Sequence, residues 1–168
     1  MLNKKSQAAS EVFKYLLVIF ISAVILVAGY KVIEIINSRS CQADLARFEI
    51  DLKNVNSGLR YGEKELKNLA VPCSVDRIFI LDLSKAKTDD FVAGANNIPI
   101  IRNSIETRAI NNVFLMSGEN VKNQFYIGHI TIDSKYICLK PASGQISVFA
   151  EGTGEYTRIT PGQNQILC

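Results

Sequence analysis

NKKSQAASEVFKYLLVIFISAVILVAGYKVIEII, residues 3–36, begins with two lysines, passes through a small polar patch carrying Glu11, and then turns almost wholly apolar. The 16 residues from Tyr15 to Tyr30 hold no charge. With Val12 and Phe13 before them and Val32, Ile33, Ile35 and Ile36 after them, the segment reaches the roughly 20 residues that a membrane-crossing helix needs. A secretory signal has an apolar region of only about 7 to 15 residues, and no small-x-small cleavage site of the secretory type follows here. The stretch therefore reads as a retained transmembrane helix over about 12–36. Its apolar body includes Tyr15, Leu16, Leu17, Ile19, Phe20, Ile21, Val24, Ile25, Leu26 and Val27. Lys14, Lys31 and Glu34 fall near the ends, where long side chains reach the interface. Ser22, Ala23, Ala28 and Gly29 would let helices approach closely in lipid, and they suit a lone lipid-facing anchor equally well.

Beyond the apolar run, Cys41, Leu45, Phe48, Leu52, Val55 and Leu59 recur at steps of four and three, the period of one helix face. Asp44 with Arg47 and Glu49 with Lys53 stand at neighbouring positions on the other faces. Asn54, Asn56, Ser57 and Gly58 supply a stop. These features predict one long helix over 7–56, apolar all round in its first half and one-sided in its second.

From Arg77 onward the pattern is β. Residues 77–83, 98–101, 112–116, 125–132, 135–139, 145–151 and 155–160 are short runs rich in branched and aromatic side chains. Gly152 to Gly154 and the PASG of 141–144 read as hairpin connections. Residues 104–113 fit either a short helix or a strand, and 85–97 reads as an irregular loop. The expected fold is α+β, a long N-terminal helix followed by an antiparallel, sandwich-like β-rich head over 57–168.

Composition bounds the function. A chain of 168 residues accommodates one domain with an appendage. Its 19 basic and 16 acidic residues give a net charge of +3 without any run of five like charges, so no nucleic-acid partner is expected. One histidine, His129, scattered serines and no glycine-rich phosphate loop leave no catalytic constellation. The GTG of residues 152–154 lies between strands and serves a turn; Asp89 and Asp90 fit a solvated loop. Without a C-x-x-C pair no metal site is expected, and His129 reads as a strand residue. No cofactor is expected.

Leader and patch together resemble the class III signal of type IV pilins, and are most similar to those of archaeal pilin-like proteins. MLNKKS is a short basic leader, and QAASE before an apolar run is similar to the archaeal form. The resemblance implies that a prepilin peptidase cuts between Ser6 and Gln7, removing a leader of residues 1–6. Glu11 then becomes the fifth residue of the mature chain, the place of the family's glutamate. It further implies that Glu11 of one copy meets the new α-amine on Gln7 of its neighbour, since an unpaired charge at the edge of an apolar bundle is costly. Glu11 and Lys14, three positions apart on one helix, offer an alternative pairing within the chain.

The implied partners are other copies in a helical filament, the prepilin peptidase, the assembly machinery and, before assembly, the membrane; the implied product is an extracellular filament. A single-pass surface protein whose head binds a ligand or partner without polymerising is the alternative. An exported head with four cysteines, Cys41, Cys73, Cys138 and Cys168, predicts two disulfides among three possible connectivities. Cys41 with Cys73 and Cys138 with Cys168 is the preferred pairing.

Overall fold

The computed structural model describes residues 3–57, 59, 61–72, 74–87, 90 and 98–168; of 3–12, 37 and 38 it describes the backbone only. The chain divides into two compact units, Met1–Gln42 and Ala43–Cys168. Helix α1 (Asn3–Ser57) supplies the first unit and, with its last turns, the beginning of the second. The fold is α+β, a long N-terminal helix followed by a β-rich head.

Within the head, two sheets share one core. The first has the order β1 (Lys64–Ala70), β7 (Gln145–Gly152), β8 (Thr157–Pro161), β5 (Ile130–Thr131). The second has the order β4 (Asn120–Phe125), β3 (Val113–Ser117), β2 (Arg77–Leu81), β6 (Tyr136–Lys140), β9 (Ile166–Leu167). Alternating residues of β2, β3 and β6, among them Ile78, Ile80, Val113, Leu115, Ile137 and Leu139, join Leu69, Ile146, Val148 and Ile159 of the other sheet in a single cluster. Phe48 and Leu52 of α1 belong to that cluster, and Phe48 meets Phe125 edge to face at 6.4 Å. The predicted helical stripe thus has its partner: Phe48, Leu52 and Val55 are buried, while Leu45 and Leu59 are half-buried.

The opposite face of the second sheet forms a separate core. Phe79, Leu81, Phe114, Met116 and Cys138 pack there with Ile98 and Ile101, contributed by helix α2 (Pro99–Glu106) and the residue before it. This explains why β2 and β3 are apolar without alternation: both of their faces are covered.

Three expectations are corrected. Residues 98–101 form no strand but open α2, because Pro99 stands in its first turn, where the fixed φ suits a helix and the missing N–H removes nothing. Ile98, Ile101 and Ile105 then repeat at helical rather than alternating spacing. That helix ends at Glu106, so residues 104–113 divide between α2 and a connection to β3. Residues 125–132 are not one strand: β4 stops at Phe125, and His129 lies in a bend before the two-residue β5. Finally, β5 pairs with β8 in parallel, whereas the other ladders are antiparallel.

Three strands were not anticipated, β1, β4 and β9. The turn read at 141–144 forms, with Ser143 and Gly144 at φ 51° and 74° and Ala142 bridging Gln145, the pattern of a type I′ turn, but it joins β6 to β7 of the other sheet and so makes no hairpin of paired strands. Residues 85–87 and 90 of the expected loop show turns or no regular strand, and the remainder of 85–97 lies largely outside the described residues.

Candidate functional site

From Phe13 to Ile36 every side chain is exposed, Leu16 by 61%, Phe20 by 70% and Leu26 by 73%. None of the most apolar window of α1 is buried by the chain itself, and the helix is long and apolar enough to cross a membrane. Apolar surface in water costs about 25 cal/mol per Å2, so exposure of this segment to water is unfavourable. Lys31 Nζ lies 3.4 Å from Glu34 Oε2, an exposed pair worth about 0–1 kcal/mol. Lys14 is exposed.

The proposed processing and assembly residues, Ser6, Gln7 and Glu11, are in the backbone of α1. Their side chains, and with them both pairings considered for Glu11, lie outside the described residues.

Of the cysteines, Cys138 and Cys168 are joined as expected, with Cα atoms 5.4 Å apart and 30 positions between them. The bridge fastens the C-terminal residue to β6, beside the β6–β9 ladder. Cys41 is also disulfide-bonded; Cys73, its expected partner, lies outside the described residues.

The head contains two polar centres that no local sequence pattern announced. Asp82, 1% exposed, follows β2. Its Oδ1 accepts hydrogen bonds from the Ser84 amide at 3.0 Å and hydroxyl at 2.5 Å, and its Oδ2 from the Ile132 amide at 3.3 Å and the Thr131 hydroxyl at 3.4 Å. Lys85 Nζ stands 3.1 Å from Oδ2 and also donates to the Ile132 carbonyl at 2.6 Å. Burial pushes this carboxyl up, but the bonds from Ser84, Lys85 and Ile132 outweigh it and hold its pKa below the ordinary value. Asp90 is likewise lowered, first by Lys135 and then by the Lys87 amide. Together these groups tie the chain after β2 to the connection between β5 and β6.

The second centre is the break at Tyr126–His129. Asn56 donates from Nδ2 to the Ile127 carbonyl at 2.7 Å, and Asn112, 1% exposed, accepts from the Ile127 amide at 3.0 Å while donating to the Gly128 carbonyl at 2.9 Å. Thr157 donates to the Asn56 carbonyl at 3.0 Å. Gly128 has φ 99°, and a Cβ there would overlap the Asn56 amide nitrogen. Among the described residues no three His, Cys, Asp or Glu side chains gather as metal ligands. No protein-family model, curated protein or solved structure matches the chain.

Proposed function

We propose that the chain is a pilin-like structural subunit, cleaved between Ser6 and Gln7 and assembled through its N-terminal helix into an extracellular filament, with no catalytic role. The observation that carries this reading is the apolar segment Phe13–Ile36, which the chain leaves wholly uncovered, standing directly behind the basic leader and Glu11. Such a surface is stable in two settings, a bilayer and a bundle of like helices. A subunit that passes from one to the other needs both. Cleavage creates an α-amine on Gln7, and the neighbour's Glu11 neutralises it as the helices leave the lipid. Without the leader the chain has 17 basic against 16 acidic side chains, so assembly meets little overall charge repulsion.

The mass of the N-terminal peptide from protein extracted from its native membranes or cell surface tests this reading. A chain beginning at Gln7, recovered together with sedimenting filaments, is the expected result. A chain that keeps Lys4 and Lys5 and sediments only with membranes would establish the anchored, non-polymerising surface protein instead.

A further inference from the structure

We infer that the break at Tyr126–His129 is a binding site for a neutral saccharide. A cavity of about 560 Å3 lies along the last turns of α1 and the end of β4, and a second of about 300 Å3 is lined by residues following β2 and preceding β5. The two share Tyr126 and Gly128. Both volumes fall in the range of small-ligand pockets, about 300–1,000 Å3.

Three observations set the chemistry of the occupant. The first is charge. The acidic and basic side chains lining the larger cavity, Glu49 and Lys53, are paired with each other at 2.6 Å. The carboxylate in the smaller one, Asp82, is occupied by its donors and Lys85. Neither cavity offers a net charge to a phosphate or a cation. The second is hydrogen bonding. Gln124 and Asn111 in the larger cavity, His129 in the smaller, and Tyr126 in both have side-chain polar groups with no hydrogen-bond partner among the described residues. A bound group rich in hydroxyls would supply partners for these amide, imidazole and phenol groups. The third is the ring pair: Tyr126 and His129 stand edge to face, with centroids 6.3 Å apart at 88°. Such rings give the weakly polar face of a sugar a surface to lie on, with polar groups beside it.

The loop is also held in advance. Residues 125–132 have the composition of a strand, yet the chain leaves the ladder at Phe125 and is clamped by Asn56 and Asn112 around a left-handed Gly128. A break imposed against local preference and fixed to a helix and a neighbouring strand is the construction expected of a binding loop on a rigid scaffold. The site needs no second copy and is independent of filament assembly.

Saturation-transfer NMR on the full-length protein, in a detergent without a sugar headgroup, tests the proposal. The probes are the methyl glycosides of glucose, galactose, mannose and N-acetylglucosamine, with inorganic phosphate as the charged comparison. Transfer to at least one glycoside at millimolar concentration is expected, undiminished when phosphate is added as a competitor. Gln124→Ala and His129→Ala, both at exposed positions, should each weaken it about threefold to tenfold while the far-ultraviolet circular dichroism stays unchanged. Absence of transfer to all four glycosides, transfer that persists undiminished in both variants, or competition by phosphate would each overturn the assignment.

Discussion

Gly128 shows how much one residue can decide. Its φ of 99° is one that L-residues with a side chain rarely adopt, and the space a Cβ would need is filled by the Asn56 amide that holds the neighbouring carbonyl. Gly128→Ala should therefore destabilise the head by about 2–4 kcal/mol, adding backbone strain to the loss of the Asn56 bond; denaturant unfolding of the full chain checks it. Asp82 makes a different prediction. Its folded pKa is depressed, so it contributes stability that is present above the ordinary carboxylate pKa of about 3.9 and is lost as the pH falls through the folded value. Wild-type stability should accordingly fall below about pH 4, and Asp82→Asn, less stable at neutral pH by about 2–4 kcal/mol, should show a shallower acid dependence. Neither role was legible in the sequence. Asn56 read as a helix stop, and nothing local signals that its side chain reaches a carbonyl 71 positions away.

At the scale of elements, legibility followed the strength of the periodic signal. The stripe of Phe48, Leu52 and Val55 was readable because a helix repeats its buried face every three or four residues, and the sheets then buried what the pattern exposed. Strand β1, KELKNLA, was not readable. It is an edge strand with only Leu69 buried, and the charges of Lys64, Glu65 and Lys67 that obscure its pattern also discourage pairing with foreign strands. The IPII of 98–101 misled because branched residues are frequent in strands, while Pro99 and a spacing of three and four belonged to α2. Strand β9 is two residues long, too short for any pattern, and depends on its neighbours. The disulfide beside it is the main restraint, closing a span of 30 positions. Replacing Cys138 and Cys168 together by serine should cost about 3–4 kcal/mol in the loop-closure picture. Hydrogen exchange should show the β9 amides losing protection well before those of β2 and β3, which lie inside the sheet.

For the whole molecule, the division at Gln42 separates two kinds of surface. The second unit buries its apolar residues in two cores. The first leaves its own exposed from Phe13 to Ile36. The N-terminal segment was legible because length and hydropathy need no tertiary information, whereas the head gave the sequence no functional signature at all; its clamped loop exists only once distant strands meet. The proposed assembly role makes Glu11 decisive for filaments and dispensable for insertion. Glu11→Ala should reach the membrane at the wild-type level and lower the filament yield at least tenfold, read by sedimentation and immunoblotting; wild-type filament yield would remove the role assigned to it.

The long reach of the ladders has a consequence in time. Asn68 of β1 contacts Ser147 of β7, 79 positions later, and the Thr157 hydroxyl reaches the Asn56 carbonyl across 101 positions. Loops of that size are slow to close, and topologies dominated by such contacts fold in milliseconds to seconds rather than microseconds. Refolding of the full chain should therefore show helix signal within the instrument's dead time and a later, slower phase for head closure. During synthesis α1 is made before the head, yet the cluster that holds Phe48 and Leu52 includes Phe125 and, later still, Val148 and Ile159. The lower turns of α1 must wait for strands made long after them before they are secure.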